Sequence, residues 1–287
     1  MGEPDLPGLT GGRTVAAGSL PSFVHLSVDD VLATLLRAAD AAPDRPGCPG
    51  ADPFVQPELA FLRDLHRRTG ATVSLYLFAE GPEGPIERVP DRFAPALAAE
   101  ASWLRFGFHG RNASVRYGRG GARVRDAVRD HDRIVGNVLR FAGPASLDRM
   151  PRVHRFLGRG EVLRAWRDAP HGIVGLLAPD DDRAEAYALP PAARGALRHD
   201  GAWFDAGVGS GAGLAYLPSL PRLESDQDPV GTLSAWRERG PRPACAFTHE
   251  SFLRDPRVRE RITPVAAWAR AQGVPFGWPD AVVRSAT

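Results

Sequence analysis

The feature that most constrains the fold is a regular alternation of short β-rich runs with amphipathic helical runs. The first example is PSFVHLSVDDVLATLL at residues 21–36, where a strand-like run leads directly into a helix with Leu32, Leu35 and Leu36 at helical spacing. Later strand-like runs are ATVSLYLFAE, WLRFGFH, DRMPRVHRF, GIVGLLAPDDD and PACAFTHES, and helical runs such as QPELAFLRDLHRRTG lie between them. This alternation predicts an α/β fold with a parallel sheet and crossover helices.

The size and charge of the chain limit its organisation and its partners. At 287 residues, with 43% hydrophobic and 24% charged residues, it has the composition of an ordinary globular protein. We expect a loose leader over residues 1–20, which are polar and rich in Gly and Pro, followed by one domain over residues 21–287. The formal net charge of +2 gives no sign of a general nucleic-acid binder.

Several kinds of site are excluded by residues that the sequence lacks. All 36 basic residues are arginines, which excludes a lysine Schiff base and a P-loop lysine. Cys48 and Cys245 have no CxxC partners, so a cysteine-based zinc site is excluded as well. The first residues contain no apolar signal-peptide core, and no apolar run approaches the roughly 20 residues that a membrane helix needs. We therefore expect a cytoplasmic protein without a membrane segment, and the sequence leaves its oligomeric state open.

Acidic and histidine side chains recur at the ends of the strand-like runs. They are Asp29 and Asp30, His109, His154, Asp180 to Asp182, and His249 with Glu250. In parallel α/β folds the carboxyl ends of the strands open on one face, where the active site lies. The recurrence therefore predicts a single assembled site, to which Asp180, Asp181 or Asp182 could add a further acid.

The adjacent carboxylates of Asp29 and Asp30 carry like charges that disfavour each other. If the strand continues through them, their side chains alternate, so that one can bind a metal while the other faces the substrate. A divalent cation would remove the repulsion by favouring the ionised form of the carboxylate it binds. The alternative interpretation is structural: Asp29 caps the following helix, and Asp30 adds a favourable charge near its N-terminus.

His109 and His154 are candidate metal ligands, because neutral imidazole commonly binds zinc, iron or nickel. His109 closes WLRFGFHG between two glycines, and its alternative role is that of a hydrogen-bonded histidine at the rim of the fold. His154 lies between Arg152 and Arg155 in PRVHRF. These two arginines could instead form a pair that binds a phosphate or a carboxylate.

His249 ends the run AFTHES, a placement that suits a general acid held by a strand at the mouth of a site. Glu250 either orients this imidazole or faces solvent. His25 lies inside the first strand and is expected to be a core histidine, whereas His66 and His131 lie on charged helical faces and are expected to be solvated.

These runs resemble the motifs of the polysaccharide deacetylase family, also described as the NodB homology domain or carbohydrate esterase family 4. HLSVDDV resembles the first motif, in which the general base corresponds to Asp29 and a metal ligand to Asp30. FGFHGRN resembles the second motif, whose leading metal-binding histidine corresponds to His109. PRVHRFLG occupies the place of the third motif and suggests Arg152 beside the site, and AFTHE resembles the late motif whose general acid corresponds to His249.

The chain departs from the second motif at one informative position. The family carries another metal-binding histidine four residues after the first, and that position is Ala113 here. We expect His154 to replace it, because His154 lies at the next strand-like end. The resemblance implies a distorted (β/α) barrel with fewer than eight regular repeats and a divergent branch of the family.

The resemblance also implies a metal-dependent hydrolase that removes an acyl group, in the first instance acetyl, from an N-acetylated sugar or a sugar-like small molecule. Zinc is the expected cation, with iron, nickel or cobalt as alternatives. Two other interpretations of the function stay open: a metal-dependent hydrolase of another C–N bond in a specialised small-molecule pathway, and a metal-free carbohydrate-binding pseudoenzyme. The resemblance and the strand-end positions together predict catalytic roles for Asp29, Arg152 and His249 and metal binding by Asp30, His109 and His154.

Overall fold

The computed structural model describes residues 12–13, 20–41, 52–179, 186–207 and 212–286. The strands are β1 Gly12–Arg13, β2 Val24–Val31, β3 Val73–Phe78, β4 Glu80–Gly81, β5 Gly84–Pro85, β6 Leu104–Gly110, β7 Gly175–Pro179, β8 Trp203–Asp205, β9 Ala215–Arg222 and β10 Ala244–His249. The helices are α1 Ala33–Ala41, α2 Pro57–Thr69, α3 Ala94–Ala99, α4 Val124–Phe141, α5 Gly160–Arg167, α6 Pro191–His199, α7 Pro229–Glu238, α8 Pro256–Ala271 and α9 Ala281–Ala286.

The main sheet is mixed and curls into a half-barrel with helices around it. Its strand order is β1-β8-β9-β10-β2-β3-β6, and β7 also pairs with β9. All pairings from β7 and β9 through β10, β2 and β3 to β6 are parallel. The predicted α/β fold with a parallel sheet is therefore confirmed for most of the barrel, and the carboxyl ends of these strands open on one edge.

The strands at the centre of the sheet are buried on both faces. Every residue of β3 is buried, and β2 is buried except at Asp30, as expected for parallel strands covered by helices on one side and by the barrel interior on the other. The helices pack with their apolar sides inward; α4, for example, buries Ile134 and Val138 completely. Helix α2 ends before Gly70, which takes the left-handed conformation (φ 78°) that commonly terminates helices.

The opening of the half-barrel between β6 and β7 is bridged by residues 147–153, for which the sequence predicted a strand. The backbone N–H of Asp148 donates to the carbonyl of Phe106 in β6 (2.8 Å), and the N–H of Leu177 in β7 donates to the carbonyl of Pro151 (3.0 Å). The N–H of Val174 also donates to the carbonyl of Arg149 (2.8 Å), but these contacts stay isolated and Pro151 has no N–H to donate to a ladder. The strand prediction for DRMPRVHRF is wrong, and the segment instead ends in a 3₁₀ turn at His154–Phe156.

The other edge of the sheet is antiparallel, which the sequence did not predict. β8 pairs antiparallel with β9, and β1 pairs antiparallel with β8. β1 belongs to the predicted loose leader, so for Gly12–Arg13 the leader is an edge strand held by backbone hydrogen bonding. Residues 1–11 and 14–19 lie outside the described residues, and the single domain over residues 21–287 stays a prediction. None of the helices in the described part of the chain combines the length and the hydropathy of a membrane span.

Candidate active site

Asp29 and Asp30 are separated by a bulge at the end of β2. The pairing of β2 with β3 matches Val28 to Leu75 but Val31 to Leu77, so β2 contains one extra residue there. Asp30 occupies the bulge in the left-handed conformation (φ 61°), which is costly for a non-glycine residue and occurs most often at functional sites. The sequence predicted that simple strand alternation would separate the two carboxylates; the structure separates them by this bulge instead.

Asp29 is buried against Arg152, which comes from the segment that bridges β6 and β7. The guanidinium Nη1 donates to Asp29 Oδ1 (2.7 Å) and to the hydroxyl of Ser27 (3.0 Å), and Nε donates to the hydroxyl of Ser219 (3.0 Å). The guanidinium carbon also lies 4.1 Å from the centre of the Phe247 ring. Arg152 is therefore held from several sides, and it pairs with the Asp29 carboxylate and fixes its orientation.

Asp30, His109 and His154 bring three ligand atoms together at the carboxyl edge of the sheet. Asp30 Oδ1 lies 3.0 Å from His109 Nε2 and 3.5 Å from His154 Nδ1, and the two ring nitrogens are 3.3 Å apart. The Nδ1–H of His109 donates to the carbonyl of Arg152 (2.6 Å), an arrangement that leaves the Nε2 lone pair facing the other two ligand atoms.

The residues of this cluster fit a divalent cation. Asp30 Oδ1 is buried and makes no well-aligned hydrogen bond with the described residues, so it is an acceptor without a donor. Burial raises the pKa of Asp30, but the imidazoles of His109 and His154 outweigh it and hold the pKa well below its usual range. Two nitrogens and one carboxylate oxygen form a set of ligand atoms that suits zinc and the other first-row transition metals. Ala113 is exposed, and His154 is the residue that completes the group.

His249 ends β10 directly beside Asp29, with which it is in register across the β10–β2 pairing. Its Nδ1–H donates to Glu224 Oε1 (2.6 Å), and the Nε–H of Arg222 donates to the same oxygen. Burial lowers the pKa of His249, but the carboxylates of Glu224 and Asp29 outweigh it and raise the pKa above its ordinary value. These contacts favour the protonated imidazole, the form that a general acid requires.

Glu224 was not predicted from the sequence, and Glu250 has a different role from the one expected. Glu250 neither orients His249 nor faces solvent. Its carboxylate is buried and accepts the backbone N–H groups of Leu32 (3.3 Å), Ala33 (3.1 Å) and Thr34 (2.5 Å) at the start of α1. Glu250 therefore caps the helix that follows the two aspartates, the role that the structural alternative gave to Asp29.

A cavity of about 280 Å³ lies beside the two histidines of the candidate cation site and beside Asp29 and His249. Its walls include Asp29, His109, Arg152, His154, Arg222 and His249. The side chains that could accept and donate a proton thus face one space together with two of the three candidate cation ligands, and this space is large enough for a small organic molecule. The third ligand, Asp30, does not line it but lies 3.0 Å from His109 Nε2.

The remaining predicted positions lie away from this cavity or outside the described residues. His25 is a core histidine as predicted: burial lowers its pKa to about 3, and its Nδ1 contacts the carbonyl of Gly277 (3.1 Å). The prediction that His131 is solvated is wrong, because its ring is buried against Phe108. His66 is only half-buried but stacks on the ring of Trp103. Asp180 to Asp182 and Cys48 lie outside the described residues.

The sequence matches none of the known family profiles and none of the curated proteins. Among solved structures, the Xyl-CE4 domain of a multidomain xylanase from the hindgut metagenome of Trinervitermes trinervoides gives a TM-score of 0.50 at 7% identity, covering 93% of this chain and 91% of that one. A 4-α-glucanotransferase from Thermococcus litoralis gives 0.57 at 11% identity, covering 91% of this chain but 38% of that one. A peptidoglycan N-acetylglucosamine deacetylase gives 0.47 at 12% identity, covering 94% of this chain and 90% of that one.

The first two of these likenesses establish the fold. The chain has the distorted (β/α) barrel of the polysaccharide deacetylase type, as the resemblance of its motifs predicted. At such low identity the fold is compatible with more than one chemistry, since part of a glucanotransferase shares it. The activity must therefore be argued from the site.

Proposed function

We propose that this protein is a metal-dependent amide hydrolase that removes an acyl group, in the first instance acetyl, from an N-acetylated sugar or a sugar-like small molecule. One observation carries the proposal: two imidazoles of a candidate cation site, a buried carboxylate held by an arginine and a histidine held by a carboxylate face the same cavity, and the third candidate ligand, Asp30, lies against those imidazoles. Amide hydrolysis needs these three functions together, because it requires carbonyl activation, a base for the attacking water and an acid for the leaving nitrogen.

Asp30, His109 and His154 would hold the cation, with zinc as the first choice for two imidazoles and a carboxylate and with iron, nickel or cobalt as alternatives. When bound, such a cation supplies Lewis-acid activation of the acyl carbonyl group. The hydrogen bond from His109 to the carbonyl of Arg152 would keep this imidazole in the tautomer that leaves its Nε2 available.

The proton transfers would be divided between Asp29 and His249. Asp29 accepts a proton from the attacking water, while Arg152 pairs with its Oδ1 atom and keeps the carboxylate oriented. The resulting tetrahedral adduct loses its C–N bond as His249 gives its proton to the leaving nitrogen, and the products are a carboxylic acid and an amine. Glu224 supports this step because it keeps the imidazole protonated and fixes its ring. Each positioned acid or base contributes about 10²- to 10⁴-fold in rate.

Two other functions give different experimental results. A hydrolase of another C–N bond would use the same groups on a different substrate, so it differs only in the substrates it accepts. A metal-free carbohydrate-binding protein would have no use for the Asp29–Arg152 and His249–Glu224 pairs. Glycosyl transfer is not favoured, because cleavage of glycosidic bonds commonly uses two carboxylates, whereas Asp29 here is bound by arginine.

Metal analysis and hydrolysis of N-acetylated sugars by the purified protein test the proposal. We expect one divalent cation per chain and release of acetate. Asp30→Asn should lose both the cation and turnover, whereas Asp29→Asn should keep the cation and lose turnover, since only Asp30 belongs to the cation site. Native protein that contains the cation but releases no acid from a broad panel of N-acyl compounds would refute an acyl hydrolase.

A further inference from the structure

Three arginines line the active-site cavity, and they differ in how their charges are used. Arg152 is buried and its charge is balanced by Asp29, the only carboxylate among the cavity-lining residues that the structure describes. Arg155 and Arg222 lie in the wall of the same cavity and are both exposed. The sequence suggested Arg152 and Arg155 as an anion-binding pair; because Arg152 is committed to Asp29, the pair available for a ligand is Arg155 and Arg222.

Arg155 is held at the cavity by an unusual turn. Arg155 and Phe156 both take the left-handed conformation (φ 57° and 58°), which non-glycine residues rarely adopt and which costs conformational energy. The turn is anchored because the N–H of Val153 donates to the hydroxyl of Tyr187 (3.0 Å), and the rings of Phe156 and Tyr187 pack edge to face. Arg155 is exposed, and within the described residues its guanidinium makes no hydrogen bond or ion pair, so the turn presents an uncompensated cation at the substrate cavity.

Arg222 approaches from the end of β9 and is only partly engaged. Its Nε–H donates to Glu224, which also accepts from His249, while half of the side chain stays exposed. A single carboxylate therefore serves two cationic partners. Together with Arg155, this leaves the cavity with an excess of positive charge, and low-dielectric walls focus such a field on whatever the cavity binds.

We propose that the substrate carries an oxyanion, a carboxylate or a phosphate, on the part of the molecule that lies against Arg155 and Arg222. This inference rests on the proposed hydrolase function and narrows its substrate class from N-acylated sugars in general to acidic ones. Guanidinium groups match both anions, since their N–H groups bind two oxygens at once. The anion is a recognition group and stays unchanged in the reaction.

Calorimetric titration of the metal-loaded protein with three amine products tests the inference. The probes are glucosamine, glucosamine 6-phosphate and glucosaminuronic acid, which share a ring and differ in the anion. We expect at least one acidic probe to bind about tenfold more tightly than glucosamine, as a charge-assisted contact allows. The acidic probe that binds better identifies phosphate or carboxylate as the preferred anion. If neither acidic probe binds more tightly than glucosamine, the inference is wrong.

Variants assign the preference to the two arginines. Arg155→Gln should remove most of the advantage of the acidic probe, and Arg155→Gln combined with Arg222→Gln should abolish it. Arg125→Gln, which removes an exposed arginine of α4 outside the cavity, should change nothing. An advantage that survives in the double variant would overturn the inference.

The kinetic form of the experiment separates this inference from the proposed function. With N-acetylated forms of the same three sugars, Arg155→Gln should raise KM for the acidic substrate and leave kcat nearly unchanged. Arginine-dependent binding of an acidic probe without any hydrolysis would refute the hydrolase while leaving anion recognition in place. Equal kcat/KM for acidic and neutral substrates would refute anion recognition while leaving the hydrolase in place.

Discussion

Replacing Arg152 by methionine would leave the Asp29 carboxylate buried without its counter-charge. The two side chains are 1% and 3% exposed and their charged atoms lie 2.7 Å apart, so water from the cavity would replace the lost partner only in part. Arg152→Met would also leave the hydroxyls of Ser27 and Ser219 without the hydrogen bonds that they now accept. Methionine keeps much of the apolar contact with Phe247, so the variant removes mainly charge and hydrogen bonding.

The expected losses follow from the cost of an unpaired buried charge. Breaking a buried ion pair on one side destabilises a protein by about 3 to 5 kcal/mol, which we expect for Arg152→Met. Asp29→Asn keeps an amide oxygen that can still accept a hydrogen bond from the guanidinium, so we expect its free energy of unfolding to fall by only about 1 to 3 kcal/mol. In the double variant no buried charge lacks a partner, and the loss should be smaller than the sum of the two single losses by about 1 to 3 kcal/mol.

Urea denaturation of the native protein, both single variants and the double variant measures these free energies of unfolding. The denaturant dependence should stay the same in all four proteins, so that a shift in midpoint reports stability alone. Additive losses, within about 0.5 kcal/mol, would show that Arg152 and Asp29 do not interact energetically and would refute the argument for a structural pair.

Three further predictions concern other buried groups. Glu250→Ala should reduce the free energy of unfolding by about 2 to 4 kcal/mol in urea, because three backbone N–H groups lose their acceptor, and Glu250→Gln by less. Glu224→Gln should move the basic limb of the kcat/KM profile to lower pH, because Glu224 raises the pKa of His249 and the protonated imidazole is the active form; an unmoved limb would contradict this. His25 has a folded-state pKa of about 3, below its unfolded value, so its contribution to stability is present above about pH 6.5 and lost at up to about 1.4 kcal/mol per pH unit as the pH falls toward 3. His25→Asn should therefore show a shallower acid slope in denaturation experiments between pH 6 and 4, and an identical slope would contradict the assignment.

The parts of the fold and site that follow from local pattern could be predicted from the sequence. The alternation of strands and helices indicates the parallel sheet, and the polar residues at strand ends indicate Asp29, Asp30, His109 and His249 as candidate site residues. These residues converge because the ends of parallel strands share one edge, which is a property of the fold class. The start of helix α7 also has a local sequence signal, because Asp228 caps its first turn just before a proline.

Other features depend on contacts between distant segments, which a single sequence does not display. Glu224 lies in the polar run RLESDQD, and only the pairing of β9 with β10 brings it to His249. Glu250 was expected either to orient its neighbour in sequence, His249, or to face solvent, but the chain turns after His249 and carries Glu250 to α1. The bulge at Asp30 and the position of His154 likewise depend on how β2 pairs and on how the bridging segment closes the barrel.

The metal content of His154→Ala tests the central claim most directly, because His154 takes the place of the absent histidine at Ala113. Plasma emission spectrometry of the native protein, His154→Ala and a control, His171→Ala, should be compared after loading with zinc and gel filtration. His171 is exposed and outside the candidate cation site. The account predicts one zinc per chain in the native protein and the control and far less in His154→Ala, with loss of acetate release in the same variant. Full zinc occupancy in His154→Ala would contradict it.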